Sequence, residues 1–120
     1  MLIRNDEWKQ GLNFVSKDDD YLQVGLWCYE KGKNLLPHRH LLVERKVYRT
    51  QEVIFVKNGV LKVDIYSEED AFVDSVELSC GDILILFFGG HGYEILENGT
   101  QVLEVKNGPY VGAEKDRKRI

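Results

Sequence analysis

From Gln51 onward the chain reads QEVIFVKNGVLKVDIYSEEDAFVDSVELSCGDILILFF, and no stretch of it carries the 3.6-residue period of an amphipathic helix. VLKVDIY alternates, with Leu61, Val63 and Ile65 on one face and Lys62 and Asp64 on the other. ILILFF is apolar at both parities, so both of its faces need a cover. Asn58-Gly59 and Asn98-Gly99 are the dipeptides that most favour tight hairpins, and they separate these runs. Upstream, YLQVGLWCYE is strand-like from Tyr21 to Glu30, and a short helical turn is expected around Trp8. Short strands at roughly 8 to 12 residue intervals with turns between them predict an all-β chain, either a sandwich or a barrel.

The 120 residues predict one domain, with a short N-terminal extension and a charged, solvated tail over 113–120. A net charge of -4 gives no footprint for nucleic acid. MLIRNDEWKQ has no apolar core of a signal peptide, and Ile83 to Phe88 is too short to span a bilayer. A cytoplasmic protein is therefore expected. Cys28 and Cys80 form no ligand motif and are read as small buried hydrophobes without a chemical role.

The three histidines carry the chemistry. His38 and His40 stand at i and i+2 in LLPHRHLL, so a strand there would put both on one face. Glu52 shares parity with Ile54 and Val56 and should point inward, where a carboxylate is costly unless paired or metal-bound. His91 follows Gly89-Gly90. Three imidazoles and a carboxylate suit a divalent first-row ion such as Fe, Mn, Zn or Ni.

In these residues the chain resembles the cupins, whose first motif is G-x5-H-x-H-x3,4-E-x6-G. Gly32, His38 and His40 match its opening, and Glu52 with Gly59 matches its close. The second motif, G-x5-P-x-G-x2-H-x3-N, is approached by Gly81, Gly89 and His91, with Phe87 in the proline position and Ile95 in that of the asparagine. The likeness runs over 21–106. Eleven residues separate His40 from Glu52, and Glu44 satisfies the short spacing instead. Glu52 is preferred, because it alone keeps the six-residue interval to glycine. The resemblance implies a jelly-roll barrel with a metal inside, held by His38, His40, Glu52 and His91.

The insertion LLVERKVYRTQ concentrates Arg45, Lys46 and Arg49. These residues suit a solvated strand edge, where basic side chains discourage pairing, or capture of an anionic substrate by Arg45 and Arg49. Tyr93 shares parity with His91 and is the expected proton donor; Tyr48 and Trp27 are weaker candidates, and Lys106 a remote one. The closing phrases GGHGYE and EVKNGPY look like small single-domain cupins associated with bacterial surface-sugar gene clusters. Two functions follow: a metal-dependent enzyme on a small polar, sugar-derived substrate, of isomerase, epimerase or dioxygenase type, or a non-catalytic small-molecule-binding or sensing cupin. The second apolar face of the strand at 53–56 needs a cover from the N-terminal segment or a second subunit, and a homodimer is expected.

Overall fold

The computed structural model describes residues 1–120. Nine strands lie in chain order: β1 (Leu2–Ile3), β2 (Gly11–Phe14), β3 (Gly25–Cys28), β4 (Glu52–Asn58), β5 (Leu61–Tyr66), β6 (Phe72–Leu78), β7 (Ile83–Leu86), β8 (Gly90–Ile95) and β9 (Gln101–Lys106). A single helical turn, α1 (Ala113–Asp116), follows. The molecule is predominantly β, with every strand pair antiparallel. The strands form three sheets, ordered β1-β7-β4-β9, β2-β3 and β6-β5-β8, and they do not join into a closed barrel. No helix is long and apolar enough to cross a membrane.

The four-stranded and three-stranded sheets face each other over one core. Alternation along β4 sends Ile54 and Val56 inward, where they meet Leu84 and Leu86 of β7 and Leu61, Val63 and Leu78 from the opposite sheet. The other face of β4 and β7 is covered as well. Ile83 and Ile85 pack with Ile3 and Leu26, and Val15, Val24, Val53, Phe55 and Phe87 close around them. The two-faced ILIL run is thus buried at all four positions, as its pattern requires. The N-terminal segments supply the cover, so this face needs no second subunit.

Both Asn-Gly turns differ from the expected hairpins. β4 and β5 lie in different sheets, as do β8 and β9, so each turn carries the chain across the sandwich. The two turns hook together: Asn58 Nδ2 donates to Gly99 O (3.5 Å), and the Leu96 amide donates to Val60 O (3.0 Å). Gly59 has φ 82°, and a β-carbon there would lie 2.3 Å from Thr100 Oγ1. Tight packing at this corner replaces strand pairing. Consecutive strands pair directly in β5–β6, through Ser67 to Ala71, and in β2–β3.

Three further expectations change. Residues 5–6 form a turn, and Trp8 belongs to no helix. Neither cysteine is fully buried, and Cys80 is exposed with its thiol on Lys57 O. Residues 29–51, including the whole LLPHRHLL stretch, contain no strand, and no backbone–backbone hydrogen bond involves residues 34–50. Pro37 removes one donor, but the larger reason is that no sheet edge lies alongside.

Candidate functional site

Glu52 opens β4 directly opposite Lys106 of β9, and side chains of a directly opposed antiparallel pair lie on the same face. Lys106 Nζ stands 2.8 Å from Glu52 Oε1, and 2.7 Å from Glu104, two residues back on the same strand. From the facing sheet, β8 presents His91 and Tyr93 at i and i+2. His91 Nε2 lies 3.1 Å from Glu52 Oε2, and the Tyr93 hydroxyl donates to that same oxygen at 3.2 Å. Glu52 is only 6% exposed and has all its partners from protein. The buried carboxylate is the hub of the site.

The electrostatics follow from this hub. Burial alone would raise the Glu52 carboxyl, but hydrogen bonds from His91 and Lys106, with their charges, hold it down to about 2. Burial pushes the Tyr93 hydroxyl up, and the Glu52 charge beside it adds to the shift. Lys106 is raised by its hydrogen bonds to Glu104 and Glu52. At neutral pH these are a carboxylate, a neutral phenol and an ammonium. Lys106 is therefore no amine nucleophile, and Glu52 is no acid.

The cluster sits at one side of a cavity of about 1270 Å³ that also includes Arg45, Tyr48 and Arg49. Arg49 pairs with Glu68 at 2.6 Å and lies over the Phe88 ring. The tail is exposed at most of its positions, as expected, yet it is tied back to the body. Thr50 Oγ1 donates to Asp116 (2.5 Å), Lys118 pairs with Asp70, and residues 115–120 line the cavity with Lys115, Arg117, Lys118 and Arg119. The charged octapeptide was legible as charge, but its return to the cavity depends on long-range pairs that no local pattern reveals.

The structure places Glu52, His91, Tyr93, Arg45 and Arg49 around one cavity, together with Lys106, the remote candidate, which proves to be a direct partner of Glu52. It does not bring His38 and His40 to them. Those rings lie edge to face, 5.3 Å apart, on the exposed strand-free segment. Glu44 is exposed on the same segment, and neither it nor Trp27 lines the cavity. No group of three or more His, Cys, Asp or Glu side chains is arranged to hold a metal. Glu52 and His91 offer two donors, and the Lys106 ammonium holds the carboxylate where a cation would have to sit. As arranged, these residues do not fit a metal.

Fold and site together define a class: an antiparallel β protein in which a buried Glu52 gathers His91, Tyr93 and Lys106 at a cavity lined by charged residues of both signs. Comparison with known protein families, curated proteins and solved structures found no match for the chain.

Proposed function

We propose that this chain is a cupin-type jelly roll that acts as an enzyme on a small anionic, sugar-derived substrate, by moving a proton at the Glu52–His91–Tyr93 cluster. Support for the jelly roll comes from the way β4 to β9 pass between two facing sheets, with β4, β7 and β9 in one and β5, β6 and β8 in the other. The single observation that carries the function is the buried Glu52 carboxylate holding both His91 and Tyr93 at the rim of a cavity lined by Arg45 and Arg49.

The chemistry follows from the donors. With its proton on Nε2 and directed at Glu52, the His91 ring keeps Nδ1 as its acceptor. Glu52 then orients the ring and stabilises the imidazolium formed when Nδ1 takes a proton from substrate. The imidazolium then returns that proton to the neighbouring atom of the substrate, while Tyr93, whose hydroxyl donates to Glu52, fixes the carboxylate that orients the ring. Arg45, with Arg49 once it leaves Glu68, holds a phosphate or carboxylate of the substrate. This is the pattern of an isomerase or epimerase.

The test is solvent-deuterium incorporation into a panel of hexose phosphates and sugar carboxylates, followed by proton NMR. Incorporation that is lost in His91→Ala and reduced in Tyr93→Phe supports the reading. A second reading, a binding or sensing cupin, is favoured by the closure of the cluster, since Lys106, His91 and Tyr93 already occupy the Glu52 oxygens. Calorimetric binding of a panel member without deuterium exchange would select it. No binding by any member removes both.

A divalent ion is a separate proposal and enters no step above. It requires His38 and His40 to approach His91, and Lys106 to leave Glu52. Elemental analysis of untagged protein tests it. About one ion per chain, lost in both His38→Ala and Glu52→Ala, supports it; protein that stays empty after iron, manganese, zinc and nickel are supplied does not.

A further inference from the structure

Residues 35–48, LLPHRHLLVERKVY, have the composition of a strand and none of its bonds. No backbone–backbone hydrogen bond involves them. Their apolar side chains face solvent: Leu36 is 81% exposed, Leu41 71%, and Leu42 wholly so. At the near end the segment is fixed. The Gln51 amide donates to Asn107 Oδ1 (2.6 Å), Asn107 Nδ2 donates to Arg49 O (3.0 Å), and Gln51 Oε1 accepts from the Leu22 amide (2.8 Å). Beyond this clamp an apolar arm reaches into water.

The body has a matching vacancy in its pairing. β8 bonds only to β5, and β9 only to β4, so the adjacent edges of both strands are free. Between them lies an apolar slot of about 190 Å³ lined by Ile54, Leu61, Tyr93, Ile95, Val102 and Glu104. Unpaired edges beside exposed apolar side chains are templates for another strand. Charge favours the match. The arm with Arg49 carries Arg39, Arg45, Lys46 and Arg49 against one Glu44, whereas β8, β9 and their turn carry Glu94, Glu97 and Glu104 against one Lys106.

The exposed area indicates how much is left uncovered. A folded 13.9 kDa monomer exposes about 6,700 Å² by the usual size scaling, whereas this chain exposes 9392 Å². Its radius of gyration, 16.2 Å, likewise exceeds the about 13.6 Å expected of a compact domain of this length. An excess of roughly 2,700 Å² per chain, or about 5,400 Å² for a pair, lies at the upper end of what obligate dimers bury in total.

We propose that two copies of this chain exchange arms, residues 35–48 of each adding a strand to the free edge of β8 in the other and filling the slot between β8 and β9. The cavity beside that edge would then be walled by both chains, with His38 and His40 of the partner subunit delivered to the strand that holds His91. The exchange would alter the cavity wall, since Arg45 and Tyr48 of the arm line it, but it rests on the free edges and the exposed arm, so a monomer that still exchanges solvent deuterium overturns the arm exchange alone.

Light scattering of the untagged full chain at 10 to 100 µM (chosen to bracket a micromolar Kd) reads the mass, and hydrogen exchange reads the arm. The expected result is twice 13.9 kDa, with slowed exchange of amides in residues 35–48 and in β8. Leu41 and Leu42 are exposed and belong to neither core cluster, so Leu41→Asp with Leu42→Asp should give a monomer with an unchanged far-ultraviolet dichroism spectrum. A 13.9 kDa wild type with a freely exchanging arm overturns the proposal. A monomer with a protected arm also overturns it, because the arm then seats on its own sheet. So does a dimer that survives the double substitution.

Discussion

Glu52 shows how one side chain couples stability to function. Its folded value near 2 lies below its ordinary 4.5, so it binds protons more weakly in the native state than in the unfolded chain. The stabilisation is fully present above about pH 4.5 and is lost as pH falls toward 2. A shift of that size corresponds to on the order of 3 kcal/mol. Denaturation midpoints in urea should therefore fall steeply between pH 5 and pH 2. In Glu52→Gln that slope should flatten, with stability at pH 7 reduced because Lys106 loses its buried partner. In Lys106→Met the acid loss should be smaller and complete at higher pH, since the carboxylate keeps His91 and Tyr93 but not the ammonium.

At the scale of the element, β7 and the Asn58-Gly59 turn make separable demands. Leu84 is 2% exposed and packs between the two sheets, so Leu84→Ala should cost about 2–5 kcal/mol through lost burial and an unfilled cavity. The turn is governed by backbone geometry. Gly59→Val meets both the positive φ and the Thr100 contact, and should cost roughly 2 kcal/mol or more. The urea midpoint measures both. Thr100→Ala should recover part of the Gly59→Val loss, because it removes the nearest clashing atom while the φ penalty stays.

For the whole molecule, the open seam between β8 and β9 is the main feature. It leaves Ile95, Val102, Leu103 and Val105 exposed along two free strands, on a chain that buries only 14 of its 120 residues. Screening should therefore affect association. If Arg39, Arg45 and Lys46 meet Glu94, Glu97 and Glu104 across copies, the dimer should weaken as salt rises from about 0.05 to 0.5 M, because exposed charge pairs are screened over a Debye length of about 10 Å or less at 0.1 M and above. Sedimentation velocity across that range gives the dissociation constant directly. Indifference to salt would assign the association to the apolar slot alone.

The sequence by itself determined what depends on neighbours within a strand: the β class, the inward parity of Glu52, Ile54 and Val56, the two-faced burial of ILIL, and the shared face of His91 and Tyr93. These are consequences of the two-residue period of an extended chain. Only the tertiary structure decided which sheet each strand enters, and so made the Asn-Gly turns crossings between sheets. It paired Lys106 with Glu52 through the β4–β9 register, and it brought the tail back to the cavity. It also left His38 and His40 on an arm with no strand beside it. Each of these depends on contacts between residues far apart in the chain, and a local pattern of side chains does not encode them.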